Sequence, residues 1–186
     1  PVVGVVGNMM LWASGVDIGE GNKSFIRNAL GDDFQDTWAL AEFLYENHKE
    51  FFLLPSDVAV EVDGNRVAMN VSELPTKYPI YDIGISTLQE IRPLMINAGC
   101  ILWNGPASYF ELPGFAFGTI EILNMCTESS AVTIVGGGHT SSLVSNRGVT
   151  DSVTHNSTGG GACLTMLSGG SMPVIESLNK SNDKFR

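Results

Sequence analysis

Two glycine triplets are the parts of this sequence whose composition and spacing could do chemistry. Gly136-Gly137-Gly138 stands in "AVTIVGGGHTSSL", followed by His139, Thr140 and Ser141, and Gly159-Gly160-Gly161 stands in "THNSTGGGACLTML". A helix N-terminus leaves several N–H groups unpaired and carries partial positive charge, so it suits a phosphate. Glycines ahead of it let backbone approach the oxygens without Cβ atoms in the way. Thr140 and Ser141 would add hydroxyl donors in the first turn. A single strand-glycine-helix junction is equally well a tight turn needing positive φ; two in one chain favour phosphate. Nothing matches G-x-x-x-x-G-K-[ST], G-x-G-x-x-G or G-x-S-x-G, which disfavours a P-loop, the dinucleotide fingerprint and a nucleophile elbow.

A third stretch is "WNGPASYFELPGFAFGT", from Trp103 to Thr119. Asn104 can donate its amide to a phosphate or stabilise the Asn-Gly-Pro turn. Glu111 can accept from vicinal ribose hydroxyls or be a solvated carboxylate near a helix start. The net charge of −10 over 186 residues argues against nucleic acid or an anionic membrane as partner. Between Pro93 and Asn179 the one basic residue is Arg147. A phosphate bound there must rely on backbone N–H groups, a metal, or cations from outside that window. Cys100, Cys126 and Cys163 form no C-x-x-C pair and read as buried thiols of a reducing, cytoplasmic compartment. No signal peptide is evident, and no apolar run approaches the roughly 18 residues of a membrane span.

The elements that must position these residues alternate in type. "VVGVV", opening the chain without a start methionine, reads as a strand already inside a sheet, with upstream sequence expected. "FQDTWALAEFLYENHKE" reads as a helix and "FFLL" as a short strand, and "DVAVEVDGNRVAMNV" is a hairpin around Asp63-Gly64-Asn65. "IYDIG" precedes a capping-box spacing that predicts a helix to about Asn97. "CILW", "VTIV" and "SVTH" read as strands running into the three candidate loops. "GTIEILNMC", "TSSLV", "GGACLTML" and Pro173 to Asn179 read as helices. The expected fold is one α/β domain over residues 1–186, a three-layer α/β/α arrangement with a mostly parallel, Rossmann-like sheet and a small β-hairpin excursion. Ligands then sit beyond the carboxyl ends of the strands, where the glycines stand.

"WNGPASYFE", "FGT", "IVGGGHT" and "THNSTGGGACLTMLSGG" occur in the order and spacing of the carboxyl-terminal domain of phosphoglycerate kinase, and the chain resembles that family most closely over Ile101 to Glu176. The resemblance implies the ATP/ADP-binding half of an enzyme of glycolysis that moves a phosphoryl group between 1,3-bisphosphoglycerate and ADP, with Mg2+ carried by the nucleotide. Carried over by position, Asn104, Gly105, Pro106 and Ala107 lie along the nucleotide, and Glu111 binds the ribose hydroxyls. Gly136, Gly137, Gly138, His139 and Thr140 hold phosphates, while Gly159, Gly160 and Gly161 open the helix facing the transferred group. Gly4 and Gly7 border the adenine pocket, with Ile80 and Tyr81 opposite. The family's upstream lysines and its phosphoglycerate-binding domain fall outside this sequence, so the isolated chain is expected to bind nucleotide and to be inactive alone. Two departures stand out. His139 occupies the place of a magnesium-facing aspartate, and neutral imidazole is a poor magnesium ligand; Ser108 replaces a glycine. They leave a second reading open, a non-enzymatic nucleotide-binding or interaction domain derived from the fold. A third is an unrelated α/β enzyme for a phosphorylated metabolite.

Overall fold

The computed structural model describes residues 1–185. In chain order the helices are α1 (Gly4–Ala13), α2 (Glu20–Leu30) and α3 (Phe34–His48), followed by strands β1 (Asp57–Val62), β2 (Asn65–Asn70) and β3 (Ile80–Ile83). Then come α4 (Ile85–Ile96), β4 (Cys100–Asn104), α5 (Phe117–Glu128), β5 (Val132–Gly136), α6 (Gly138–Asn146), β6 (His155–Ser157), α7 (Gly160–Leu167) and α8 (Pro173–Phe185). The chain divides into two compact units, one of residues 1–99 with 106–131 and one of residues 100–105 with 132–186.

In the first unit the expected hairpin forms: β1 and β2 pair antiparallel, closing at Val62↔Asn65, and Asp63 takes positive φ in the turn. β3 joins the other side of β1, also antiparallel. Val58, Ala59 and Val60 on β1 are fully buried, each valine contributing about 2 kcal/mol by leaving water. Val58 and Val60 meet Met9, Met10 and Leu11 of α1, Ile18, Ile26 of α2 and Ala41 of α3 in one core. The Asp57 side chain accepts from the N–H groups of Ser86 (2.9 Å) and Thr87 (2.7 Å) and from the Thr87 hydroxyl (2.7 Å), capping α4 from a neighbouring strand. Burial pushes the Asp57 carboxyl up, but these hydrogen bonds outweigh it and hold the group below the usual aspartate value.

The second unit holds the parallel sheet that the α/β reading requires, in the order β4-β5-β6. Alternation is clear on β4, where Ile101 and Trp103 are buried and Cys100, Leu102 and Asn104 are exposed. α6 packs on β5 and β6, and α7 on β5.

Four sequence expectations differ from the structure. "VVGVV" is not a strand: the chain enters α1 at Gly4, because Met9, Met10 and Leu11 favour helix and the helix turns all three into the core. "FFLL" is no strand either; Val2 N–H donates to Leu53 O (3.1 Å), a single bond where a ladder was expected. β6 begins at His155, later than "SVTH", since Thr154 and Thr133 exchange hydroxyl–backbone bonds (both 3.1 Å) in place of ladder bonds. Among the thiols only Cys126 is buried, where desolvation pushes it up to about 12; Cys100 is exposed and Cys163 half-buried. In addition, α8 continues beyond Asn179 to Phe185.

Candidate functional site

The parallel register brings both glycine loops and the Asn104-Gly105 start of the third predicted loop to one row in the second unit. Asn104 pairs with Gly136, and Gly136 with Ser157, so the carboxyl ends of β4, β5 and β6 are level. From that row the chain enters the Asn104-Gly105 turn, the first glycine triplet and the second. Gly137 caps α6 at φ 98°, a left-handed conformation that demands glycine. Gly160 is buried at the start of α7, and a Cβ built on it would lie 2.5 Å from Gly137 N, 2.6 Å from Gly137 Cα and 2.5 Å from Asn104 Oδ1. The two glycine loops therefore touch backbone to backbone, with the Asn104 amide against both.

Gly138 and Gly161 differ from this pair. Each faces open space, with nothing within 4 Å of an added Cβ. The first intrahelical bonds are Ser141 N to Gly137 O (2.8 Å) in α6 and Cys163 N to Gly159 O (3.0 Å) in α7. The N–H groups of Gly138, His139 and Thr140, and of Gly160, Gly161 and Ala162, precede those bonds. His139 is exposed in the first turn of α6. Thr140 and Ser141 are not exposed hydroxyl donors: both are buried, and the Thr140 hydroxyl donates back to Gly136 O and Gly137 O. A threonine one turn into a helix bonds readily to carbonyls three or four residues before it, so Thr140 has its backbone N–H left to offer. Among the described residues no three His, Cys, Asp or Glu side chains gather as a metal-binding set.

In the first unit, Pro106 to Glu111 form a tethered turn. Ala107 N–H donates to Thr119 Oγ1 (3.1 Å), Ser108 Oγ lies 2.6 Å from the same oxygen, and Tyr109 N–H donates to Tyr81 O (2.7 Å). The Tyr81 ring meets Tyr109 and Phe115 edge-on at 5.2 and 5.3 Å. Gly4, at φ 63°, stands against this turn: a Cβ there would lie 2.7 Å from Pro106 O. Gly4, Tyr81 and the turn thus come together, while Gly7 packs into the interior against Val2 and Pro55 and Ile80 is part of the core. Glu111 is exposed just ahead of Pro113.

Behind the turn, Asp82 anchors α5. Its Oδ2 accepts from Gly118 N–H (3.0 Å) and from Arg66 (3.3 Å), whose guanidinium lies 5.5 Å from the Phe117 ring centroid. Burial raises the Asp82 carboxyl to about 6, against the opposing pull of the Gly118 and Ile83 N–H groups and of Arg66. Sequence reasoning missed Thr119 and Asp82. The signal was present in "FGT" and "YDIG", but neither motif says which loop its side chain will reach.

The sequence profile of the Phosphoglycerate kinase family matches residues 2–170. The phosphoglycerate kinase of Methanopyrus kandleri is 40% identical over 175 residues, covering 94% of this chain and 42% of that protein. That of Methanobacterium bryantii is also 40% identical, covering 98% of this chain and 44% of that protein. The crystal structure of the Pyrococcus horikoshii OT3 phosphoglycerate kinase superposes with a TM-score of 0.88 at 33% identity, over 98% of this chain and 45% of that one. The Coxiella burnetii enzyme gives 0.77 at 30% identity, over 94% and 44%. The chain spans less than half the length of the curated relatives it matches.

Proposed function

Because the chain belongs to the phosphoglycerate kinase family, we propose that it is the ADP/ATP-binding domain of a kinase that transfers a phosphoryl group between 1,3-bisphosphoglycerate and ADP. The observation that carries this reading is the level row of Asn104, Gly136 and Ser157, from which both glycine loops leave in mutual contact.

The N–H groups of Gly138, His139 and Thr140 take the nucleotide's phosphates. Gly159 to Gly161 open α7 toward the group in transfer. Asn104, lying against both loops, fixes them and offers its amide. Gly105, Pro106 and Ala107 run along the nucleotide, and Glu111 receives the ribose hydroxyls. Phosphoryl transfer asks a protein chiefly for positioning and for neutralisation of developing charge, and two helix N-termini supply both in part. Magnesium enters with the nucleotide as part of the substrate. His139, exposed in the first turn of α6, stands beside those phosphates, in place of a carboxylate meeting the metal.

The chain carries little cationic charge near these loops: Arg147 is the one basic residue between Pro93 and Asn179. The cations and the phosphoglycerate site belong to the remainder of the kinase, and the setting is cytoplasmic glycolysis. Among the described residues no helix is long and apolar enough to cross a membrane. Calorimetry of the 186-residue chain with ADP, ATP, pyrophosphate and a simple sugar phosphate tests the reading. Binding of both nucleotides and of pyrophosphate, with no turnover in a coupled assay, is the expected result. Equal binding of the sugar phosphate would sink the nucleotide assignment, and robust turnover would sink the claim that the chain is catalytically incomplete.

A further inference from the structure

Thr119, which holds the Pro106–Glu111 turn from behind, is not among the residues assigned to the nucleotide. Thr119 lies in the first turn of α5 and is wholly buried, so it can act on a ligand only through its neighbours. Its hydroxyl accepts from Ala107 N–H and shares a hydrogen with Ser108 Oγ, and both of those residues are buried as well. An oxygen with two lone pairs and one proton can serve both neighbours at once. Thr119 is itself held in place, because the preceding Gly118 N–H is bound by Asp82 and a Cβ at Gly118 would lie 2.2 Å from Asp82 Oδ1.

Ser108 completes the arrangement. Among the described residues the non-glycine at positive φ is Asp63, so the backbone at 108 does not require glycine. The serine hydroxyl, 2.6 Å from Thr119, adds a second tether beside the Ala107 bond.

We infer that Thr119 is a positioning residue for the nucleotide-side turn, acting through Ala107 and Ser108. Its consequence for ligand affinity rests on the nucleotide reading above; its geometry does not. Replacing the hydroxyl by a methyl leaves a buried N–H and a buried hydroxyl without partners. A turn in that state moves outward to reach water, carrying Pro106 and Glu111 with it.

The test uses the whole chain with ADP and with pyrophosphate, which lacks the nucleoside. Thr119→Val weakens ADP about tenfold, the worth of roughly one lost buried hydrogen bond, and leaves pyrophosphate affinity unchanged. Thr119→Ser restores ADP binding to about wild-type strength, and Ser108→Ala, which keeps the Ala107 bond, costs about threefold. Hydrogen exchange supplies a readout free of ligand: Ala107 amide protection falls in Thr119→Val and is kept in Thr119→Ser. Unchanged Ala107 protection, unchanged ADP affinity in a folded Thr119→Val chain, parallel loss of pyrophosphate, or failure of serine to rescue overturns the inference. If the wild-type chain binds no ADP while Ala107 protection responds as stated, the tether stands and the nucleotide reading fails.

Discussion

At the scale of single residues, the glycine triplets contain two kinds of glycine. Gly160 is excluded from carrying a side chain by backbone: Gly137 N stands 2.5 Å from where its Cβ would be. Gly160→Ala is expected to destabilise the second unit by about 3 kcal/mol and to lose pyrophosphate binding, read by thermal unfolding and calorimetry. Gly161 faces open space, so Gly161→Ala should leave stability within about 1 kcal/mol of wild type while weakening pyrophosphate. An alanine there that binds pyrophosphate normally would mean the space is not the ligand's. The sequence made the triplets conspicuous but could not divide them, because the division depends on which loop lies against which. Thr140 shows the same limit: its presence was legible, yet its hydroxyl turns back to Gly136 and Gly137 carbonyls. At His139, replacement by aspartate should make ADP affinity depend more steeply on magnesium. Equal dependence in both proteins would show that this position does not govern the metal.

Two helices are started by buried aspartates whose acidities move in opposite directions. Asp57, at the N-terminus of α4, is held low by its hydrogen bonds from Thr87 and Ser86 despite burial. Its contribution is present above the unfolded aspartate value of about 4 and is lost as pH falls through its lower folded value. Asp82, at the N-terminus of α5, is raised by burial to about 6. The folded chain binds its proton more tightly than the unfolded chain does, so stability rises as pH falls from about 7 toward 4. A displacement of two units corresponds to about 3 kcal/mol. Urea midpoints should therefore rise as pH falls below about 7 and peak near pH 4. Asp82→Asn should flatten the neutral limb, and Asp57→Asn the acid limb; a neutral limb unchanged in Asp82→Asn would remove Asp82 as its cause. Helices α4 to α7 and strands β1, β2, β4 and β5 were legible from periodicity and turn residues. "VVGVV" and "FFLL" were not, because valine and phenylalanine content marks a strand only when a partner edge accepts it. Here each run supplies one half of a single bond, Val2 N to Leu53 O.

Over the whole molecule, burial is unevenly distributed. β1 is buried through Val58, Ala59 and Val60, whereas α8 leaves Val174 at 74% and Leu178 at 64% exposure. Native-state hydrogen exchange should find β1 amides among the slowest and α8 amides near the unprotected rate; slow exchange along α8 would show that its apolar side is covered in solution. The level row at the ends of β4, β5 and β6 also bears on how the protein comes into being. The hairpin of β1 and β2 joins near neighbours, Val62 with Asn65, and can close within microseconds. The row instead joins Asn104 to Gly136 and Gly136 to Ser157, and each pairing closes a long intervening segment before it returns any contact. On a ribosome, Ser157 emerges after both partners, so the row stays incomplete until that strand arrives. The carboxyl end of that row is the last part of its own sheet to become possible.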